Sequence, residues 1–451
     1  MRSMALLCRR SRVLYLCSHV YLLSGKRIRR FFIFNLGHSP VFVTTVAKKN
    51  PRLRHGHPKE ISMSQIHPKK ILPLLMINMF IVMLGVGLVT PILPALITDF
   101  GASGQTIGFL VAAYGITQFV LSPITGKLSD QYGRKLLIVA GVAVFALAKI
   151  IFAIGSELWM LYGSRLLEGV AAALLVPPIM AYVADITTTE ERAKGNGPLG
   201  AAMSLGFVIG PGLGGLLAGY GLRVPLYAAA GAAVVAVVIS VIGLPEPLSK
   251  EDMIAARAKG TPKLSILRPY ADSLKSNYAA LYMIVFVMTF GLANFESVFG
   301  LYVTNRFQFT PQAISVILTA GAVIGVGMQA LLVARVIKAF GEQRVIQASL
   351  LFTSFAFAVL LLVRSFWTIF LVTSCIFFAM SLLRPALNTR ISKMAGNEQG
   401  AAAGMNNAYI SLGNILGPSL AGLLFDVNVV WPFLAGCFIL LVTFLMTLRL
   451  K

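Results

Sequence analysis

Most of this chain consists of long runs of apolar residues separated by short polar segments. Each run is about twenty residues long, which is enough for one helix to cross a hydrocarbon core about 30 Å thick. The runs predict an all-α integral membrane protein with twelve transmembrane helices. These helices begin near Ile71, Gln105, Leu136, Trp159, Pro198, Pro225, Tyr278, Pro311, Val345, Phe366, Ala402 and Val430.

The polar segments differ in charge according to the side of the membrane that they reach. If Lys69 and Lys70 lie inside, the loops on the opposite side contain only Arg223, Arg306 and Arg364. Because cytoplasmic loops are enriched in Lys and Arg, we predict a multi-pass protein of the cell (plasma) membrane with both termini in the cytoplasm. The inside loops contain Lys127, Arg134, Lys135, Arg192, Lys194, Arg335, Lys338, Arg344, Arg390 and Lys393.

The composition indicates a membrane protein and does not support a nucleic-acid-binding protein. Of 451 residues, 57% are hydrophobic and 12% are charged, and the mean hydropathy is +0.81, so too little polar surface is left for a soluble protein. The net charge of +23 does not indicate a nucleic-acid partner, because residues 1–62 alone supply twelve of these charges. The rest is the usual basic bias of cytoplasmic loops.

Residues 1–62 form a basic N-terminal extension whose apolar pieces are too short to span a bilayer. Its Arg-rich, acid-poor composition fits a transit peptide. We favour the interpretation that the extension is a start-site artefact, with translation beginning at Met63, or else that it is disordered. This interpretation is a hypothesis.

A repeated segment divides the remaining chain into two related halves. The segment GFVIGPGLGG, Gly206 to Gly215, has a degenerate copy, GNILGPSLAG, whose Gly-Pro pair lies 207 residues further on. Small residues spaced four apart let helices pack closely, and proline bends a helix. We predict a six-helix bundle over 70–245, a cytoplasmic linker over 246–277 and a second bundle over 278–451. The packing motif comprises Gly206, Gly210, Pro211, Gly214, Gly215, Gly417 and Pro418.

The loop GKLSDQYGRK between predicted helices two and three is a candidate latch, and a basic turn that anchors the topology is the alternative. Gly133 permits a left-handed turn, and Asp130 can pair with Arg134 or with a neighbouring helix N-terminus. The equivalent loop in the second half keeps Gly341 but has Lys338 in place of Asp130, so we expect such a latch mainly in the first half. The predicted loop motif comprises Gly126, Asp130, Gly133, Arg134 and Lys135.

Several kinds of site are absent from the sequence. The chain has no G-x-x-x-x-G-K-[ST] phosphate loop, so transport would have to use an ion gradient and not ATP. All five histidines precede the first predicted helix, which excludes a histidine-containing metal or catalytic site within the bundle. We predict that the protein is not an enzyme and uses no metal or cofactor.

Only two of the sixteen acidic residues, Glu168 and Glu296, fall well inside predicted helices. An ionisable group there costs about 2.5–3.5 kcal/mol, so it usually faces a cavity and has a partner. Glu296 has no basic residue within one helical turn, which makes it a plausible proton acceptor. A neutral or hydrogen-bonded structural role is the alternative.

Three basic residues also fall within the predicted helices. Arg165 lies three residues before Glu168 on one helix face, so the two can form an ion pair that is either a proton switch or purely structural. Arg384 can face a cavity or extend to the cytoplasmic surface. Lys149 has no evident partner. The proton-coupling candidates are Glu296, Arg165, Glu168 and Asp130.

These motifs resemble those of a known transporter family. GKLSDQYGRK resembles the loop signature of the major facilitator superfamily, LYGSRLLEG its helix-four motif, and GFVIGPGLGG the helix-five motif of exporters that exchange drugs for protons. LGVGLVTPILP in the first predicted helix resembles the corresponding segment in the twelve-helix branch of this superfamily. Patterns such as FGLANFES, LRPALN and LGNILGP resemble those of NorA-type multidrug exporters. The resemblance extends from about Ile71 to Lys451.

The resemblance implies a central cavity in the major facilitator fold, lined by residues of both halves. An aromatic cavity with a buried carboxylate suits lipophilic cations, because aromatic faces attract positive charge. Related exporters carry an aspartate at the position of Ser381, so a second cavity acid is missing here. The implied substrate-binding residues are Tyr114, Gln118, Phe207, Glu296, Phe299, Phe377, Arg384 and Asn406, together with Arg165.

The sequence and the resemblance together predict a proton-coupled multidrug efflux antiporter that works by alternating access. Its predicted partners are small lipophilic drugs and dyes, mostly cationic or zwitterionic, together with protons and membrane lipids, and the chain is predicted to be monomeric. Two alternatives stay open. A transporter of a polar metabolite such as a sugar would have a cavity richer in Asn, Gln and charged groups. A non-transporting membrane scaffold would need no intramembrane carboxylate.

Overall fold

The computed structural model describes residues 19–24, 27–36, 39–44, 68–98, 100–101, 103–188, 192–258, 273, 279–395 and 399–449. The chain divides into two compact units, Met1–Ser62 and Met63–Lys451, and each is described by itself. The boundaries of the bundles and of the linker given above stay predictions.

Three strands lie in the first unit, where the sequence predicts disorder or a start-site artefact. Strands β1 (His19–Ser24), β2 (Arg27–Leu36) and β3 (Ser39–Thr44) form an antiparallel sheet in the order β1-β2-β3. Isoleucine, valine and phenylalanine are frequent in these segments, and such residues favour strands. These three segments are strands, and the assignment of residues 1–62 as disordered or as a start-site artefact stays a prediction.

Within the described residues, twelve helices are long and apolar enough to cross a membrane. The predicted all-α, twelve-span fold class is therefore confirmed for the second unit. The helices are α1 (Pro68–Val89), α2 (Gly104–Tyr132), α3 (Arg134–Ile154), α4 (Leu158–Ile186), α5 (Arg192–Ala218), α6 (Val224–Gly243), α7 (Ala279–Phe307), α8 (Pro311–Leu331), α9 (Glu342–Leu360), α10 (Phe366–Ala395), α11 (Gln399–Val427) and α12 (Trp431–Arg449). Three shorter helices cover Leu93–Thr98, Lys250–Ala258 and Val333–Phe340.

The two halves repeat the same helix pairing. In the first half α1 packs against α5, α2 against α4, and α3 against α6. In the second half α7 packs against α11, α8 against α10, and α9 against α12, which are the same pairs six helices later. The halves meet where α2 contacts α11 and where α5 contacts α8. This arrangement is that of two six-helix bundles with a parallel internal repeat.

Glycines of the repeated motif bring helix backbones together at equivalent positions of the two bundles. A Cβ atom at Gly210 would lie 2.8 Å from the carbonyl oxygen of Leu84 on α1. A Cβ atom at Gly417 would lie 2.7 Å from the carbonyl oxygen of Phe290 on α7. Neither backbone oxygen can move aside, so both positions require glycine. Gly206 similarly faces Phe80, and Gly214 faces Leu88.

The closest contacts between the bundles lie at the end that is predicted to be extracellular, where α2 begins and α11 ends. The Asp426 carboxylate on α11 accepts hydrogen bonds from the backbone N–H groups of Gly104 at 2.7 Å and Gln105 at 3.0 Å, at the start of α2. The Ser315 hydroxyl on α8 donates to the Pro211 carbonyl on α5 at 2.7 Å. Gly108 faces Pro418, and Gly215 faces Ser315. These contacts hold that end of the molecule closed.

Candidate functional site

A cavity of about 570 Å³ lies between the two bundles and is lined by side chains from both. Its volume is typical of sites for drug-sized molecules. Arg384 and Asn414 on its wall are exposed, so solvent reaches the cavity. Predicted site residues on the wall are Tyr114, Gln118, Arg165, Phe207, Glu296, Phe377 and Arg384, and Ser381 also lies there.

Glu296 belongs to a stripe along α7 that forms part of the cavity wall. The stripe includes Thr289, Ala293, Glu296 and Gly300, which are spaced three or four residues apart and share one helix face. No basic residue lies near Glu296 along the chain, but α10 brings the charge of Arg384 within electrostatic range of its carboxylate. The cavity therefore contains one lining carboxylate with a guanidinium on a neighbouring helix.

Phe299 is not a cavity residue, which corrects the prediction. It is fully buried, and its ring centroid lies 4.9 Å from that of Phe295. Phe295 in turn contacts Phe377, with ring centroids 6.3 Å apart in an edge-to-face arrangement. Phe299 lies outside the stripe that contains Glu296 and packs in the core against Phe295.

Two other predicted site residues also lie off the cavity wall. Asn406 is 8% exposed, and its side-chain amide nitrogen donates a hydrogen bond to the side-chain amide oxygen of Asn388 at 3.3 Å. The residues of α11 that line the cavity are Ser411, Asn414 and Pro418, further along the helix. Glu168 is fully buried behind Arg165. Asn406 is therefore a helix-packing residue, and Glu168 contacts the cavity only through its neighbour.

Lys149, which has no evident partner in the sequence, has one in the structure. Its ammonium nitrogen lies 2.8 Å from one Glu168 carboxylate oxygen, and an Arg165 guanidinium nitrogen lies 2.8 Å from the other. The Lys149 and Glu168 side chains are fully buried, and the Arg165 side chain is 6% exposed. We call these three residues the buried charge trio. It contains two cations and one anion.

The sequence interpretation missed the methionines of the cavity. Met83, Met203, Met288 and Met380 come from four different helices and all lie on the wall. Methionine is flexible and polarizable, and it is frequent on surfaces that bind several different ligands. Methionine also fills hydrophobic cores, so its presence in an apolar helix did not distinguish these four positions.

The predicted loop motif forms a network of charges at the end of the first bundle that is predicted to be cytoplasmic. Asp130 lies 2.6 Å from one Arg134 guanidinium nitrogen, as the sequence predicts, and Asp185 on α4 lies 2.9 Å from another. Gly133 has a φ of +101°, which favours glycine. A Cβ atom at Gly126 would be in ordinary contact, 3.9 Å from Pro177, so close packing at that glycine is not required.

Glu246, at the start of the connector, is a further member of this network. Its carboxylate accepts hydrogen bonds from the backbone N–H groups of Arg134 and Lys135, each at 2.9 Å, where α3 begins. A carboxylate at this position compensates the positive end of the helix dipole. A Cβ atom at Gly133 would lie 2.5 Å from the same carboxylate, which gives a second reason for glycine there.

The second half also has an ion pair at the equivalent position, and the expectation that a latch operates mainly in the first half stays a prediction. Glu342 pairs with Lys393, and these residues follow Arg134 and Asp185 by 208 positions each. In the first half the basic residue lies on α3 and the acid on α4, whereas in the second half the acid lies on α9 and the basic residue on α10. Comparing the loops alone did not reveal this, because the acid that pairs with Arg134 lies on α4.

The described residues contain no group of three or more His, Cys, Asp or Glu side chains that could hold a metal ion. The sequence expectations on cofactors and metals stay predictions. The charged groups on the cavity wall are Arg165, Glu296 and Arg384. They can bind a charged molecule or exchange a proton.

Comparison with known proteins places the sequence in a family. The sequence profile of the Major Facilitator Superfamily matches residues 75–271 and 281–451. Multidrug resistance protein 2 of Bacillus subtilis (strain 168) is 43% identical over 374 residues, which are 83% of this chain and 93% of that protein. Quinolone resistance protein NorA of Staphylococcus aureus (strain N315) is 33% identical over 358 residues, 79% of this chain and 90% of that protein.

Solved structures with lower sequence identity share the fold. One is a bacterial homolog of the human lysosomal transporter Spinster in an inward-facing and occupied conformation, with a TM-score of 0.69 and 13% identity over 84% of this chain and 96% of that chain. Another is the nucleoside transporter NupG, with a TM-score of 0.67 and 17% identity over 84% of this chain and 99% of that chain. The chain belongs to the Major Facilitator Superfamily.

Proposed function

We propose that this chain is a proton-coupled multidrug efflux antiporter that exports lipophilic cationic or zwitterionic compounds by alternating access. The observation that carries the proposal is Glu296, a carboxylate on the wall of a cavity between two bundles. The methionines and Phe207 and Phe377 around it provide adaptable apolar contacts for different molecules. Two relatives named for drug resistance support the choice of substrate class.

The proposed cycle starts from the conformation described here, in which the predicted extracellular end is closed. Glu296 in its ionised form binds a cationic substrate that enters from the cytoplasm or the inner leaflet. The bundles then rock about the α2–α11 and α5–α8 contacts, which opens the opposite end. A proton from outside neutralises Glu296 and releases the substrate, so the two flows are coupled through one carboxylate. Each net charge moved gains about 2.3 kcal/mol per 100 mV of membrane potential.

The proposal also assigns a location and topology. The excess of Lys and Arg in one set of loops favours the plasma membrane with both termini in the cytoplasm. The cavity lies within a single chain, so the protein is proposed to work as a monomer that contacts lipids directly. It carries out no covalent chemistry and requires no bound cofactor.

Dye transport in inverted membrane vesicles tests the proposal. We expect a proton gradient to drive accumulation of a cationic fluorescent dye, and an uncoupler to abolish it. Glu296→Gln is expected to abolish gradient-driven accumulation, whereas Glu157→Gln, the same change at an exposed position before α4, is the matched control. Accumulation that resists the uncoupler would refute proton coupling. Absence of dye transport by the folded wild type would favour the polar-metabolite alternative.

A further inference from the structure

The formal charges of the buried charge trio do not sum to zero. Lys149 and Arg165 both contact the single carboxylate of Glu168, at 2.8 Å in each case. The trio therefore carries one excess positive charge in a region from which water is almost entirely excluded. An uncompensated charge in such a place is costly unless a counter-charge reaches it.

Of the three residues, only Arg165 lies on the cavity wall, so the excess charge is accessible there. Arg165 is 5% exposed, and within the described part of the chain its Nε–H group has no hydrogen-bond partner. The guanidinium is held in place by Glu168 and by the Phe152 ring, whose centroid lies 5.1 Å from the guanidinium carbon. A guanidinium that is held in place on a cavity wall suits a carboxylate ligand.

Among the residues that the structure describes, Glu168 is the acid that pairs with Arg165. Tyr114, also on the cavity wall, lies within electrostatic range of both Glu168 and Arg165. The remaining lining acid among the described residues, Glu296, belongs to the other bundle and interacts electrostatically with Arg384. The first-bundle side of the cavity is therefore positive, and the lining carboxylate within the described part of the chain belongs to the second bundle.

We propose that Arg165 is an anion-recognition group that binds the carboxylate of zwitterionic substrates, while Glu296 binds their cationic part. This proposal rests on the proposed function and specifies its substrate class. Lys149 is a positioning residue that acts through Glu168, because one of the two Glu168 carboxylate oxygens pairs with Lys149 and not with Arg165. Without Lys149, Glu168 neutralises Arg165 alone and the trio has no excess charge.

A matched pair of dyes separates the carboxylate from the rest of the substrate. Rhodamine 110 is a zwitterion, and rhodamine 123 is its methyl ester and a simple cation. The measurement is the Kd of each dye for detergent-purified protein at constant pH, by fluorescence polarisation, expressed as the ratio of the rhodamine 110 value to the rhodamine 123 value. Each variant is first shown to be monodisperse and to melt cooperatively.

Lys149→Met is expected to raise this ratio about tenfold, the lower range of what a charge-assisted hydrogen bond contributes. Arg165→Gln is expected to raise it at least as much. The double variant Lys149→Met, Glu168→Gln regains one excess charge on Arg165, so its ratio is expected to return to the wild-type value. Lys250→Met removes the same charge from an exposed connector position and is expected to leave the ratio unchanged.

The outcomes distinguish this inference from the proposed function. A ratio that does not change in folded Lys149→Met, or that stays high in the double variant, would overturn the role of the trio while leaving multidrug binding intact. Wild-type protein that binds neither dye would contradict the proposed function, and the anion-recognition group with it. If the trio had only a structural role, Lys149→Met would weaken binding of both dyes equally. The double variant would then not restore the wild-type ratio.

Discussion

Asp426 is the most specific connection between the bundles at the predicted extracellular end, and its removal should shift the conformational equilibrium. The carboxylate accepts two backbone hydrogen bonds at the N-terminus of α2, at 2.7 and 3.0 Å. These bonds join α11 to α2, so they are made only while that end is closed. Asp426→Ala removes both acceptors and the favourable interaction with the helix dipole.

The size of the shift follows from the geometry of this contact. Losing a helix-capping side chain costs about 0.5–2 kcal/mol, and losing an anion at a helix N-terminus costs about 0.3–1 kcal/mol. The contact is partly exposed, so we expect a total of about 1–2 kcal/mol. That corresponds to about a 5- to 30-fold increase in the outward-open population relative to the closed one. Asp426→Asn keeps one acceptor oxygen and should give a smaller shift.

Electron–electron double resonance measures this shift directly. Spin labels at Tyr220 and Val427, both exposed at this end of the molecule, report the distance between the bundles in a variant whose four cysteines are replaced. We expect Asp426→Ala to increase the population with long distances. Asp252→Ala, which removes an aspartate from the connector helix, is the matched control. If Asp426→Ala and the control gave the same distance distribution, the assignment of a closing contact would be wrong.

Two further predictions concern stability in detergent and use melting temperature as the measurement. Gly417→Ala forces a Cβ atom against the Phe290 backbone and should cost about 1–3 kcal/mol, whereas Gly404→Ala on the same helix meets open space and should not destabilise; equal effects would contradict close packing. Arg134→Ala should cost about 1–3 kcal/mol because Arg134 is buried with two acids. Glu342→Ala should cost less than about 1 kcal/mol because its partner is exposed, and the reverse order would refute this comparison.

The architecture was predictable because it depends on local sequence features. Long apolar runs fix the number of helices, and the repeated Gly-Pro motif relates the two halves. The closest packing of the motif also followed from spacing, since glycines four apart lie on one helix face. These features need no knowledge of which helices become neighbours.

Most of the predicted substrate-binding residues lie on the cavity wall, but their prediction rested on resemblance and not on periodicity. Phe299 shows the difference. Whether it lies on the cavity wall depends on how α7 is oriented about its own axis, and the sequence alone does not define that orientation. The stripe through Ala293 and Gly300 shows which face of α7 lines the cavity. Phe299 and Gly300 lie three and four residues after Glu296, so spacing alone does not distinguish them.

Contacts between helices explain the other misses. Lys149 and Glu168 lie on adjacent antiparallel helices, and Glu246 is 112 positions from Arg134 along the chain. Such pairs depend on helix packing, which no local pattern encodes. The charge-exchanged pair of the second half was missed for the same reason. In a membrane protein, an isolated charge in an apolar run indicates that a partner exists, but not where it lies.

The central claim is that substrate and proton compete for Glu296. The most direct test measures protons released by purified protein in weakly buffered detergent solution when a cationic substrate such as tetraphenylphosphonium binds. The experiment is performed near neutral pH with a pH-indicator dye. The account predicts proton release by the wild type and by Glu157→Gln, and none by folded Glu296→Gln that still binds the cation. Equal proton release by Glu296→Gln and wild type would contradict it.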